Sequence, residues 1–312
     1  MIQEPEQSRM STAITYAEFG GPEVLRATEV ELPAPGPGQV RVAVRATSVN
    51  PIDVKIRRGD MAGHAPASFP KVPGLDVAGV VAEVGEGVSD RAVGDEVFGV
   101  ASGGAYAQYA LLSVMATKPA SVSWELAACL STAGEAAYRA LGHLNVAAGQ
   151  TLLIHGAAGS VGGIATQLAL ARGVTVIGSV SLRDLEYLGS LGATPVRYGE
   201  GLCKRVRSLA PDGVDAALDT AGQGVLPDSI ELTGSAERVI TIADPSAQEL
   251  GVRFTGGDPG DRAWEALPQL GELAAAGTLQ LPIWRIYPLA HASAAHADIE
   301  AGRNHGKIVL VP

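Results

Sequence analysis

The sequence predicts an α/β chain in which a strand-rich domain accompanies a doubly wound parallel sheet. Three observations carry this. From Ala13 to about Ala116, short β-branched segments are punctuated by Gly and Pro, the spacing of a compact strand-rich domain. Beyond Ser123, strand-like and helix-like segments alternate, which implies parallel strands joined by crossover helices. At one strand-to-helix junction stands Gly156-Ala-Ala-Gly159-Ser-Val-Gly162, a glycine pattern suited to a tight turn and close backbone approach.

Taken in order, residues 1–9 are polar and aperiodic and read as a flexible tail ahead of Met10. Val40–Arg45, Val77–Val84 and Glu96–Phe98 are expected strands, and the Pro/Gly run at 33–38 a turn between strands. Ala127–Leu141 has apolar residues at helical spacing. Then come a strand (Thr151–His155), a helix (Ser160–Arg172), a strand (Val174–Val180) and a helix (Leu182–Leu191). Strands are expected at Thr194–Arg197, Ala216–Asp219, Arg238–Ile242 and Val252–Phe254. A helix at Ala263–Ala275, a strand at Leu281–Ile286, a helix at Leu289–Ala301 and a strand at Lys307–Val311 complete the chain. The last strand is apolar enough to partner the N-terminal sheet. The expected division is therefore one domain of 10–125 with 259–312, and a second of 126–258 inserted between.

Composition bounds the function. The 312 residues are 46% hydrophobic and 18% charged, enough to bury a sizeable core and too apolar for a disordered chain. No apolar run approaches the ~18–20 residues of a membrane span, and MIQEPEQSRMST lacks the architecture of a signal peptide. Cys129 and Cys203 match no metal-knuckle spacing, so a reduced, cytoplasmic setting is expected. A net charge of −10 disfavours nucleic acid, whose binding rests on Lys and Arg.

The glycine pattern follows a strand and opens a helix, the context of a dinucleotide fingerprint. Gly156, Ala157, Ala158, Gly159, Ser160, Val161 and Gly162 would bring the backbone to a pyrophosphate at the helix N-terminus. An NAD-binding sheet usually places an acid about 20 residues further on. Here the stretch is Gly178-Ser-Val-Ser-Leu-Arg183, with no acid before Asp184. Ser179, Ser181 and Arg183 offer donors and a positive charge that suit a 2′-phosphate, so NADPH is the expected cofactor.

Several short blocks occur in order: Tyr16-Ala-Glu-Phe-Gly-Gly-Pro-Glu-Val-Leu25, Ser48-Val-Asn-Pro-Ile-Asp53 with Arg58-Gly59, Val72-Pro-Gly-Leu-Asp-Val-Ala-Gly79, and Val93-Gly-Asp-Glu-Val-Phe-Gly99. Gly104-Ala-Tyr-Ala-Gln-Tyr109, the glycine pattern, Leu191-Gly-Ala193 and Gly306-Lys-Ile-Val-Leu310 follow. With these blocks the chain resembles, from Met10 to Pro312, the zinc-free medium-chain dehydrogenase/reductases, in their quinone oxidoreductase and enone reductase branch. The resemblance implies a GroES-like catalytic domain, a Rossmann domain, and NADPH in a cleft between them. Zinc-dependent relatives carry Cys near Asn50 and Gly-His-Glu where this chain has Gly74-Leu75-Asp76, and their four-Cys loop has no counterpart. No metal is expected.

Asn50-Pro-Ile-Asp53 followed by Lys55 resembles the plant-type enone reductases, which makes Asn50, Asp53 and Lys55 the candidate catalytic residues. Two alternatives stand: Asn50 satisfies turn backbone before Pro51, and Asp53 and Lys55 form a surface ion pair. Gly134-Glu-Ala-Ala-Tyr138 resembles the family's Glu-Thr-Ala-Tyr with Ala136 for Thr. The resemblance also implies cofactor contacts from Tyr198, Thr220, Ala243 and Lys307, with a strand-end aromatic the alternative for Tyr198. His155 reads as structural, His64 as part of a loop that could border the substrate, and Trp284 and Tyr287 as core or interface aromatics.

The implied function is hydride transfer from NADPH to a quinone or to the activated C=C of an enone, without metal. The implied partners are a small-molecule substrate and a second copy of the chain as a homodimer, with neither nucleic acid nor membrane. The alternatives are a pathway-specific enoyl reductase tailoring a polyketide, and a non-catalytic NADPH-binding or regulatory protein. Specificity is expected in the loops around 60–70, 98–106 and 255–262.

Overall fold

The structure is a computed structural model that describes residues 10–63 and 68–312. The expected tail at 1–9 and the loop histidine His64 lie outside the described residues. The strands are β1 (Met10–Thr15), β2 (Arg26–Glu31), β3 (Val40–Val49), β4 (Asp76–Val84), β5 (Glu96–Ala101) and β6 (Tyr109–Thr117), then β7 (Thr151–His155), β8 (Thr175–Val180), β9 (Thr194–Arg197), β10 (Ala216–Asp219), β11 (Val239–Thr241) and β12 (Arg253–Phe254), and last β13 (Ile283–Pro288) and β14 (Lys307–Val311). The helices are α1 (Pro51–Arg58), α2 (Trp124–Ala128), α3 (Ser131–Leu144), α4 (Ser160–Ala171), α5 (Leu185–Ser190), α6 (Leu202–Leu209), α7 (Leu226–Thr233), α8 (Leu267–Ala275) and α9 (Ala292–Glu300).

The chain folds as two units. The first runs to Thr132 and takes in Leu267–Ala275 and Pro282–Pro312. Its sheet has the order β13-β14-β3-β4-β5-β6, and β3 also pairs with β6. That extra pairing closes β3 to β6 on themselves, which removes exposed edges. Register shifts in β3 at Arg41/Val42 and Val44/Ala46 bend the strand as bulges do. Its far end at Thr47–Val49 is then free to take β14, with Ile308 opposite Val49. Val40, Val42, Val77, Val97, Leu112, Ile308 and Leu310 fill the interior.

The second unit is Ala133–Ala266 with Ala276–Leu281, and its sheet is parallel in the order β12-β11-β10-β7-β8-β9. Strands covered on both faces are apolar throughout; Leu152, Leu153 and Ile154 of β7 are wholly buried. The two architectures are the strand-rich, GroES-like fold and the doubly wound Rossmann sheet.

Unit boundaries differ from the expected 125/126 and 258/259, and the contacts show why. α2 stays with the first unit, where the Lys118 ammonium lies over the Trp124 ring at 4.4 Å. The segment from Thr255 to Ala263 stays with the second because buried Glu135 on α3 holds it. That carboxylate accepts from Arg262 NH1 and the Ala263 N–H, both at 3.0 Å, and from Arg139 Nε at 2.6 Å. Gln280 exchanges two hydrogen bonds with Gln167, at 2.7 and 2.8 Å.

Candidate active site

Except for Ser179, which lies within β8, every cofactor-site position expected in the second unit follows the C-terminal end of a strand of one parallel sheet. The glycine turn follows β7, Ser181 and Arg183 follow β8, Tyr198 follows β9, Thr220 follows β10 and Ala243 lies two residues past β11. This is the edge at which such sheets take ligands.

The turn is built to exclude side chains. Gly156 has φ +71°, and a Cβ on Gly162 would lie 2.2 Å from the Gly156 carbonyl oxygen. A Cβ on Gly178 would lie 2.6 Å from the Ala157 Cβ, so the buried Ala157 side chain packs inward while its backbone passes over β8. Gly159 caps α4 without a side chain, leaving the first N–H groups of the helix, from Ser160 onward, for a ligand. Thr220 Oγ1 ties the turn down by donating to the His155 carbonyl at 2.7 Å. The His155 ring is held between Ser179 Oγ at 2.9 Å and Ser229 Oγ at 3.0 Å. Burial lowers its pKa to about 4, so it is neutral and structural, and Ser179 is occupied beneath the site.

At the end of β8 the structure adds what the sequence spacing missed. Asp184 folds back on the two expected donors: the Ser181 hydroxyl donates to it, and Arg183 Nε stands 3.7 Å away. Arg183 and Tyr198 both keep 54% of their exposure.

In the first unit the Asn50-Pro-Ile-Asp53 segment starts a helix rather than making a turn. Asn50 is the extended N-cap residue, Pro51 occupies the first helical position, and the Asp53 carboxylate accepts from the Asn50 N–H at 2.8 Å. The Asn50 side chain turns away from the helix. Its Nδ2 donates to Asp76 Oδ2 at 2.8 Å, and its Oδ1 accepts from Lys307 Nζ at 2.7 Å. Asp76 also accepts from Ser48 Oγ at 2.6 Å and from the Thr132 N–H at 2.9 Å and Oγ1 at 2.5 Å. The Lys307 ammonium completes the cluster 3.7 Å from Asp76. All but Thr132 are buried. Lys307, expected to contact the cofactor, thus directs its charge onto Asn50 and Asp76.

The same cluster answers for zinc. Where the resemblance implies a Cys near Asn50 and a His in zinc-dependent relatives, this chain holds Asn50 and Leu75, and an ammonium stands beside Asp76. These residues do not fit a zinc ion. Elsewhere among the described residues, Cys203, Asp228 and Glu231 converge within 4.8 Å, with Glu231 already paired to Arg207 at 2.5 Å.

Asp53 is 2% exposed and lines a cleft of about 280 Å³ with Ile56, Val72, Leu75 and the backbone of Gly103 and Gly104. Its Oδ2 takes the Tyr106 hydroxyl at 3.3 Å, and that hydroxyl lies 3.1 Å from His296 Nε2. Its Oδ1 has no hydrogen-bond partner among the described residues. Burial, reinforced by Asp76, raises the Asp53 pKa to about 7 against the opposing Asn50 N–H, Lys307 and Tyr106. His296 is held near 3 by burial and by Arg57, and is therefore neutral. Gly74 makes room for this arrangement: it has φ +92°, and a Cβ there would sit 2.3 Å from the Tyr106 ring.

Lys55 does not join these residues. Two positions along a helix is about 200° of rotation, so with Asp53 facing inward Lys55 faces out, and it is exposed. The alternative of a surface pair with Asp53 is excluded by the burial of Asp53. The cation beside Asn50 is Lys307. Sequence reading also missed Ser48, Asp76 and Tyr106 as site residues, although all three stand in the ordered blocks, and had no signal for Thr132 or His296. Trp284 and Tyr287 pack against the core of the first unit.

No helix among the described residues is long and apolar enough to cross a membrane. Residues 36–121 match the alcohol dehydrogenase GroES-like domain, and 191–310 the family described as zinc-binding dehydrogenase. The quinone oxidoreductase of Sus scrofa is 33% identical, covering 97% of this chain and 98% of that one. The 2-methylene-furan-3-one reductase of Solanum lycopersicum is 32% identical, over 96% of this chain and 79% of its own. A mycobacterial protein solved in complex with NADPH superposes with a TM-score of 0.83 at 30% identity, over 97% of this chain and 100% of that one. The chain belongs to the medium-chain dehydrogenase/reductase superfamily, in its quinone oxidoreductase and enone reductase branch, and is an oxidoreductase of the nicotinamide-dependent type.

Proposed function

We propose that the protein reduces quinones and the activated C=C bond of enones with NADPH and without a metal. The observation that supports this is the cluster at Asn50, Asp76 and Lys307: an ammonium, not a metal-ligand set, stands beside the buried Asp76 carboxylate. Reducing a simple ketone calls for an acid on its oxygen, the part a Lewis-acidic metal plays in zinc-dependent relatives. A conjugated acceptor is already electron-poor at carbon and does not. When bound, the dinucleotide supplies the hydride. The chain's part is to hold it: the Gly156–Gly162 turn and the α4 N-terminus take the pyrophosphate, and Ser181, Arg183 and Tyr198 take the 2′-phosphate. The names of the porcine and tomato relatives support this substrate class, and the NADPH complex of the mycobacterial one supports the cofactor.

Oxidation of NADPH should be followed with a quinone, an acyclic enone, an enoyl thioester and a simple ketone. A quinone or an enone should be consumed and the ketone should not, with no loss of rate in chelator. Ketone reduction, or activity abolished by chelator, would contradict the reading. Cofactor choice gives a second test. NADPH should bind more tightly than NADH, and Arg183→Ala should remove most of that margin. One half-exposed charge-assisted contact of ~1.5 kcal/mol corresponds to about tenfold. Equal affinities in the unmutated protein would exclude the 2′-phosphate site.

A further inference from the structure

Reduction of a conjugated acceptor needs a proton as well as a hydride. We propose that Asp53 is the acid that delivers it, with Tyr106 and His296 as the residues that position its carboxyl group. The inference rests on the proposed function and adds the proton source. Three observations on one side chain carry it. Asp53 lines the cleft of about 280 Å³. It is 2% exposed, so it is screened from bulk water. Its two oxygens are unequal: Oδ2 is fixed by the Asn50 N–H at 2.8 Å and the Tyr106 hydroxyl at 3.3 Å, whereas Oδ1 has no hydrogen-bond partner among the described residues. A buried carboxyl with one oxygen anchored and the other unpartnered has a place for a proton on the second.

The surroundings hold that proton near neutral pH. Burial and Asp76 on β4 favour the neutral acid, while the Asn50 N–H, Lys307 on β14 and Tyr106 favour the carboxylate, and the balance lies at about 7. Among the described residues, the other charged or titratable groups nearby are Arg57 on α1, which is paired with Glu300, Tyr16 after β1, His296 on α9, and Lys71 on the cleft wall. His296 is neutral, so Tyr106 bridges two uncharged partners when Asp53 carries its proton, and donates to Asp53 when it does not.

The step balances as follows. An acceptor in the cleft that has gained a hydride carries the electron pair as an enolate or a hydroquinone anion. The Oδ1–H bond breaks, its electrons remain on Asp53 as carboxylate, and the proton bonds to the α-carbon or the quinone oxygen. Water in the cleft returns a proton to Asp53.

Asp53→Asn keeps the shape and an acceptor for the Asn50 N–H but has no acidic proton. General acid catalysis contributes typically 10²–10⁴-fold, so turnover of an enone should fall by at least about a hundredfold. Because the acid form is the active one, the wild-type rate should fall as pH rises through about 7, and this limb should be absent in the variant. Tyr106→Phe removes a bond that favours the carboxylate, so its limb should move to higher pH. Infrared difference spectra of the dinucleotide-free protein should show a carboxylic acid titrating near neutrality that Asp53→Asn lacks. Asp53→Asn with the wild-type rate and pH profile would overturn the acid's role while leaving the proposed function standing. An unshifted limb in Tyr106→Phe would do the same if Asp53→Asn fails to fold. Wild-type protein that oxidises no NADPH with any acceptor would overturn both.

Discussion

Lys307→Met should cost about 3–5 kcal/mol of stability, the typical result of removing one partner from a buried ion pair. Asp76 is wholly buried and Lys307 is 2% exposed. Loss of the ammonium strands a carboxylate that Ser48, Asn50 and Thr132 can bond but cannot neutralise. It also removes the donor to Asn50 Oδ1, so the side chain at the head of α1 loses one of its two anchors. The check is a urea titration of both proteins at pH 7, with the Asp76→Asn and Lys307→Met double variant beside them. Removing the charge with its partner should recover a large part of the loss, since contacting residues couple strongly. A single variant within about 1 kcal/mol of wild type would show that the cluster tolerates an unpaired Asp76.

Gly162→Val should raise the dissociation constant of NADPH by about a hundredfold or more, and Gly163→Ala should leave it nearly unchanged. The two glycines are neighbours in sequence and opposite in constraint. A Cβ on Gly162 meets the Gly156 carbonyl oxygen at 2.2 Å and the Ala157 Cα at 2.9 Å, whereas one on Gly163 meets nothing closer than 3.6 Å. The first clash is with backbone, so the turn itself must move and its N–H groups leave the pyrophosphate. Losing one or two charge-assisted bonds at ~1.5–3 kcal/mol each accounts for the effect. Fluorescence titration of both variants checks it. Equal affinities would mean that the turn does not carry the phosphate.

The sequence revealed the fold where local pattern and tertiary demand coincide. Thr151–His155, Ala216–Asp219 and Lys307–Val311 have the same bounds in the expectation and the structure, because central strands buried on both faces are largely apolar; Thr194–Arg197 also matches, although it is an edge strand exposed at both ends. α1 was hidden because Asn-Pro is both a turn signal and an N-cap with its first helical residue. β2 was hidden because its side chains alternate between exposed and half-buried. α6 buries only Leu202 and Val206, too thin a stripe to stand out. At the site, the glycine turn was legible because all its parts lie within one short segment. The pairs that organise the catalytic side are separated by 53 residues for Tyr106 and Asp53, 190 for Tyr106 and His296, and 257 for Lys307 and Asn50. Only the closed sheet brings them together. Lys55 illustrates the converse: close in sequence to Asp53, it is turned away by helical rotation alone.

The account stands most directly on where the hydride goes. NADPH carrying deuterium at the transferred position should be supplied with an enone, and the product examined by NMR for the labelled carbon. Deuterium at the β-carbon is the expected result, with the carbonyl retained. Deuterium at a carbinol carbon would mean carbonyl reduction, and would contradict a site built around Asn50, Asp76 and Lys307 in place of a metal.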